Sequence, residues 1–324
     1  MSVKWGVLGT AGIARGCTIP GMKLADNCVL YAVAGRSEEK AKSFRDEFGF
    51  EKYYTGYEKL LEDPEVQAVY IPLPNHLHKE WVLKALAAGK NVLCEKPLAL
   101  NEEDAREMFD AAKKNGVHLM EAFAYLHSPY VPSLKKEIQS GIIGEVDYIG
   151  TAFVGQGYVR DDIRLHKEMG GGAVYDLGCY CTSMILSLYD MMPEKVIAKA
   201  EFSELDVDLF TSALLKFPGG KRASFEVGMI FDQGHYGRMD RLYVHGTKGY
   251  IRSDVEYNQA GELSYTVVTD EGATVRRVSA RQNYSLEVEQ LGRCIEDGEK
   301  PYVTSDFSIR DAAVLDMILK EIGY

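Results

Sequence analysis

No stretch of this 324-residue sequence approaches the roughly 20 consecutive apolar residues that cross a bilayer, so a helical membrane span is excluded. Cysteine is scarce. Cys17, Cys28, Cys94, Cys179, Cys181 and Cys294 are scattered without a Cys-x-x-Cys pair, which speaks against a disulfide framework and against a structural zinc site. They read as small buried thiols. Lys and Arg number 37 against 48 Asp and Glu, and a net charge of -11 without clustered cations excludes a nucleic-acid surface. Long runs of one charge sign, internal repeats, low-complexity stretches and long linkers are all missing. So is a signal-peptide layout, because Met1-Ser2-Val3-Lys4-Trp5 leads straight into a strand pattern; the expected location is the cytoplasm.

What is present describes a globular chain, with 46% apolar and 26% charged residues. Its length predicts two domains, since one domain usually takes about 100 to 200 residues. Through residue 124, short apolar runs alternate with helical patterns, the rhythm of βαβ units and a doubly wound parallel sheet. Strands are expected at 4–8, 29–34, 68–71, 92–94 and 118–121, with helices at 13–24, 38–48 and 79–88 and another capped by Asn101. From 125 to 324 the pattern changes. Alternating runs at 146–154, 196–202, 212–217, 222–230, 241–245 and 264–269 predict an open, mostly antiparallel sheet, with turns at Pro218-Gly219-Gly220 and Thr247-Lys248-Gly249. Helices are expected at 172–189, 285–297 and 308–322.

The first chemical motif is Gly9-Thr10-Ala11-Gly12-Ile13-Ala14, between the first strand and the first helix. Glycines there let backbone N–H groups and the helix start approach a pyrophosphate, although Ala11 and Ala14 stand where the common pattern has its later glycines. After the second strand comes Gly35-Arg36-Ser37, with no carboxylate where an NAD enzyme holds the ribose hydroxyl. Arg36 can pair with a 2′-phosphate and Ser37 can add a hydrogen bond, so NADP is the expected cofactor and NAD the alternative; Ser37 is equally suited to cap the following helix. Glu95-Lys96-Pro97 ends an apolar run and places Lys96 at the carboxyl edge of the same sheet, where such sheets bind ligands. Asp176 and Tyr180 lie four residues apart on a helical segment and share a face.

These segments, together with Ile71-Pro72-Leu73-Pro74-Asn75-His76-Leu77-His78, Glu121-Ala122-Phe123, Gly170-Gly171-Gly172 and His245-Gly246-Thr247-Lys248-Gly249, resemble the glucose-fructose oxidoreductase, inositol dehydrogenase and rhizopine catabolism (Gfo/Idh/MocA) family over essentially the whole length. The resemblance implies an NAD(P)-binding Rossmann domain, 1–124, and a substrate-binding and oligomerisation α/β domain, 125–324. It further implies a sugar, cyclitol or related alcohol as substrate, and a homodimer or homotetramer formed through the C-terminal sheet. Leu73, Pro74, Asn75 and His78 would border the cofactor, and Glu95 would hold backbone or cofactor groups. His76 and His78 have no neighbouring residues that complete a metal-ligand set, so no metal is expected.

In this reading Lys96, Asp176 and Tyr180 meet one substrate hydroxyl. Tyr180 exchanges its proton, Lys96 orients the oxygen and stabilises its charge, and Asp176 binds substrate or fixes Lys96. Tyr180, where many relatives carry His, points to the sugar dehydrogenase and dihydrodiol dehydrogenase branches. Two departures affect the pocket: Leu126 stands where close relatives have Arg, and Ile163 precedes Arg164 where many have Trp-Arg, leaving Arg164 as a substrate or cofactor contact. The expected activity is NADP-dependent oxidation of a sugar hydroxyl or reduction of the matching carbonyl. An NAD-dependent glycosidase and a non-catalytic dinucleotide-binding regulator are the alternatives.

Overall fold

The structure, a computed structural model, describes residues 2–231 and 237–324. The chain forms two compact units, one of residues 1–127 with 281–309 and one of residues 128–280 with 310–324. The first unit carries six parallel strands: β1 (Val3–Leu8), β2 (Cys28–Gly35), β3 (Lys52–Thr55), β4 (Ala68–Ile71), β5 (Asn91–Glu95) and β6 (Leu119–Ala122). Their order is 3-2-1-4-5-6, so the chain reverses direction across the sheet between β1 and β4, and ligands of such sheets bind outside the carboxyl ends at that point. β1 and β4 are almost wholly apolar because helices cover both faces of a parallel sheet.

The helices of this unit are α1 (Ile19–Leu24), α2 (Glu38–Phe48), α3 (Tyr57–Leu61), α4 (His78–Ala87) and α5 (Glu102–Asn115). The Ser37 side chain accepts from the Lys40 N–H and opens α2, and Gly49, at φ 81°, closes it. Asn101 and Gly116 do the same for α5. β3 and α3 are absent from the sequence reading, because a four-residue strand with no buried residue and a five-residue helix leave almost no periodicity.

In the second unit α6 (Tyr130–Gln139) precedes an eight-stranded sheet: β7 (Val146–Gln156), β8 (Lys195–Phe202), β9 (Asp208–Lys216), β10 (Arg222–Phe231), β11 (Met239–Gly246), β12 (Gly249–Ser253), β13 (Gly261–Thr269) and β14 (Gly272–Ala280). All neighbouring pairs are antiparallel except β7 with β10. The two expected turns join β9 to β10 and β11 to β12. The segment expected as one helix at 172–189 starts as a π turn, Val174–Gly178, before α7 (Cys179–Tyr189).

A division into contiguous segments at residue 124 leaves α8 (Asn283–Asp297) with the second sheet, yet α8 packs on α1, β1, β2 and β5 of the first unit. Gln282 donates to the Cys17 carbonyl at 3.1 Å and Asn27 donates to the Glu289 carbonyl at 3.0 Å, contacts that a sequence pattern cannot reveal. α9 (Ser305–Ile322) then continues from the first unit into the second. Among the described residues no helix is long and apolar enough to cross a membrane.

Candidate active site

In the first unit the carboxyl end of β1 runs into Gly9, whose φ of 130° suits glycine and whose added Cβ would stand 3.2 Å from Leu73. Gly12 is exposed, with open space where a Cβ would be. Thr10, Ala11 and Ile13 are half-buried around it, and the π turn that follows, Ala14–Thr18, has no side-chain cap at its start. The helical run itself starts at Gly12, and the N–H groups of its first turn that precede Arg15 can serve an anion. Arg36 is exposed just past β2, and Ser37 follows it as the cap of α2. Pro74 and Asn75 are half-buried and Leu73 is buried beyond β4, the neighbouring strand at the reversal point. A glycine turn, an uncapped helix start and a cation at this edge fit a dinucleotide and its phosphates.

Lys96 is half-buried immediately beyond β5, and its neighbours are held on three sides. The Leu98 N–H donates to Glu121 Oε1 at 2.8 Å from the adjacent strand β6. His78 Nδ1 lies 2.9 Å from the Pro97 carbonyl and its Nε2 lies 2.8 Å from the Leu73 carbonyl. Glu95 accepts from the Tyr70 hydroxyl at 2.5 Å, and Tyr70 in turn accepts from Thr18 at 2.9 Å, tying the glycine-rich segment to the strand that carries Lys96. His78 was expected to contact the cofactor; its ring is instead fully buried and committed to two carbonyls, so it joins the segments after β4 and β5. Burial lowers the His78 pKa, opposed by those carbonyls and assisted by the Lys96 charge. Glu121 is pushed up to about 7, chiefly by burial, against the pull of the Ser308 hydroxyl, the Leu98 N–H and the Lys96 cation. His76 is exposed, and Leu126 is a buried apolar side chain in a 3-10 turn.

In the second unit three successive glycines shape the entry to Asp176 and Tyr180. Gly170 has φ 74°, Gly171 N–H donates to the His166 carbonyl at 3.0 Å, and Gly172 N–H donates to the Arg164 carbonyl at 2.8 Å. An added Cβ on Gly171 would stand 2.5 Å from the Arg164 carbonyl. Gly172, at φ 99°, would drive its Cβ into Asp208 Oδ1. Asp208 is there for a reason: its Oδ2 accepts from Val174 N–H at 3.0 Å and from Thr211 at 2.7 Å, capping the π turn from β9. Burial pushes Asp208 up to about 6 despite those bonds. The Tyr324 hydroxyl closes the turn by donating to the Gly171 carbonyl at 2.7 Å. Gly172→Ala combines a disfavoured φ with overpacking, and we expect a loss of about 3 kcal/mol in unfolding free energy. Urea denaturation checks this, and an unchanged midpoint would contradict it.

Asp176, expected to bind substrate or fix Lys96, accepts a hydrogen bond from Arg164, whose Nε donates to Asp176 Oδ2 at 2.7 Å. The guanidinium also reaches Asp162 at 3.3 Å and lies 4.6 Å over the Tyr158 ring, while Ile163 is exposed. Burial pulls the Arg164 pKa down, but Asp176, Tyr158 and Asp162 outweigh it and the net shift is upward. The pair is thus a fixed ionic contact. Tyr180 is buried between Phe153 and Tyr257, with ring centroids at 5.4 and 5.2 Å, and its hydroxyl accepts from Asn258 Nδ2 at 3.2 Å. Sequence reasoning missed Asn258, Asp208 and the Tyr70 to Glu95 link; only Asp208 and Gly172 leave a trace, in the run of glycines. Cys179 and Cys181 are buried thiols, as are Cys94 and Cys294, whereas Cys17 and Cys28 are partly exposed.

Comparison with known proteins agrees with the two folds described. Residues 3–123 match the oxidoreductase family with an NAD-binding Rossmann fold, and residues 131–252 match the C-terminal domain of the same Gfo/Idh/MocA group. D-xylose 1-dehydrogenase (NADP(+)) 2 from Haloferax volcanii is 33% identical over 321 residues, covering 98% of this chain and 96% of that protein. Trans-1,2-dihydrobenzene-1,2-diol dehydrogenase from Xenopus laevis is 31% identical over 337 residues, covering 100% of this chain and 99% of its own. A 3-ketoreductase from Actinomadura kijaniata, solved in complex with NADP and TDP-benzene, superposes with a TM-score of 0.91 at 28% identity, covering 99% of this chain and 98% of that one. This chain is therefore an oxidoreductase of the Gfo/Idh/MocA family.

Proposed function

We propose that the chain is an NADP-dependent oxidoreductase acting on a hydroxyl or carbonyl carbon of a sugar or related polyol. The observation that carries this reading is the held lysine: Lys96 stands just beyond β5 on the sheet edge of the glycine turn, braced through Glu121 and His78. When bound, the nicotinamide supplies or accepts the hydride. In the first unit Lys96 offers its cation to a substrate oxygen that gains negative charge, and in the second Tyr180 offers a phenol that gives a proton in reduction or takes one in oxidation. Arg164 spends two N–H groups on Asp176 and Asp162 and offers its others to substrate hydroxyls, so Asp176 acts by orienting Arg164. Exposed Ile197, Ile230 and Met239 on the second sheet support subunit pairing there, as a dimer or tetramer.

Arg36 supports the choice of NADP, as do the relatives named for that cofactor. Arg36→Ala is expected to weaken NADPH binding by about 10- to 100-fold, the range of one charge-assisted bond, and NADH binding far less. Fluorescence titration of both cofactors checks this, followed by a turnover screen of D-xylose, D-glucose and dihydrobenzenediol with NADP. Tighter binding of NADH to the wild type would overturn the cofactor assignment.

A further inference from the structure

Asn258 has a left-handed backbone, with φ 65°, a conformation that an asparagine tolerates at some cost. This conformation accompanies an amide aimed at Tyr180: Asn258 Nδ2 donates to the Tyr180 hydroxyl oxygen at 3.2 Å, across 78 residues of sequence. A donor at that oxygen favours the ionised phenol over the neutral one, because the bond strengthens as negative charge develops. A cation stands in the same cluster. Arg238 lies 4.2 Å over the Phe153 ring, Phe153 packs on Tyr180 at 5.4 Å, and the Arg238 and Tyr180 charges attract each other. Asp240 holds that guanidinium through two bonds of 2.5 and 2.6 Å while accepting from Tyr257 N–H at 2.9 Å, and Glu256 flanks it at 3.6 Å.

We propose that Asn258 is a positioning residue for proton transfer, holding the Tyr180 hydroxyl oxygen and, with Arg238, stabilising the phenolate left when the Tyr180 O–H bond breaks. This rests on the reading of Tyr180 as the proton-exchanging group. In reduction the carbonyl carbon takes the hydride of the reduced nicotinamide, the Tyr180 O–H bond breaks, its proton completes the new substrate hydroxyl, and solvent returns a proton to the phenolate; oxidation runs the same steps in reverse. The charged groups around Tyr180 in this unit are Asp176 earlier on the same segment, itself paired with Arg164, and Arg238 with its partners Asp240 and Glu256. The phenol of Tyr257 faces it as well. Asn258 bonds the reacting oxygen directly.

The test uses the full-length protein and needs no substrate. The phenolate absorbance of Tyr180 is followed against pH as the difference between each protein and the same protein carrying Tyr180→Phe. Asn258→Gly keeps a residue at ease with positive φ and removes the amide; Asn258→Asp keeps the shape and replaces the donor with a carboxylate. In both, ionisation of Tyr180 is expected at least about one pH unit higher than in the wild type, tenfold less phenolate at a fixed pH. A Tyr180 step no earlier in the wild type than in Asn258→Gly and Asn258→Asp overturns the proposal. Failure of the underlying reading shows differently: Tyr180→Phe then retains turnover of D-xylose with NADP whatever the titration gives.

Discussion

Lys96→Ala is expected to lower kcat about a thousandfold while changing NADPH affinity less than about tenfold, because the lysine stabilises charge that develops on the substrate oxygen. The backbone beside it has supports of its own. Leu98 is held by Glu121, and His78 holds Pro97, so the segment after β5 keeps its path when the ammonium is removed. One side effect is specific to this structure. Lys96 opposes the upward shift of Glu121, so removing it should raise the proton affinity of that buried carboxyl still further. Single-turnover kinetics and cofactor fluorescence on the same preparation separate chemistry from binding. A kcat within tenfold of wild type, with the fold intact by circular dichroism, would remove Lys96 from the chemistry.

The parts of the fold legible in the sequence are those whose signal is local. α2 is read at Glu38–Phe48 because Ser37 caps it and Gly49 ends it, and the central strands are read because helices on both faces leave them continuous and apolar. β14 escapes the pattern, since Arg276 and Arg277 interrupt it and its pairing with β13 is a matter of the partner strand. α6 is missed because it begins behind Pro129 and carries Pro132 in its first turn, where proline is tolerated. At the site, the glycine turn, Lys96, Asp176 and Tyr180 are legible as motif residues. What each touches is not. Arg164 meets Asp176, Asn258 meets Tyr180, and His78 turns inward onto two carbonyls through tertiary contacts that no spacing rule encodes.

The same limit hides Glu287, a glutamate of α8 that is fully buried. Neither carboxyl oxygen has a hydrogen-bond partner among the described residues, and burial followed by the nearby charge of Glu95 raises its pKa well above the ordinary carboxylate value. A carboxyl raised on folding binds its proton more tightly in the native state than in the unfolded chain. Stability is therefore full below the unfolded pKa, near 4.5, and falls as pH climbs toward the folded one. Within that window the loss is about 1.4 kcal/mol per pH unit for this one group. Glu121, raised to about 7, and Asp208, raised to about 6, act in the same sense over narrower windows. Asp63, lowered to about 2, acts oppositely but only at more acid pH. Glu287→Gln keeps the shape and cannot ionise. It should match the wild type near pH 4 and become progressively more stable than it as pH climbs above the unfolded pKa, the gap widening by about 1.4 kcal/mol per unit until the folded pKa is reached. Urea midpoints of both proteins at each pH measure the gap directly. Parallel curves would mean that Glu287 titrates alike in folded and unfolded chains, and that the interior around Tyr70 and Glu95 carries its charge without cost.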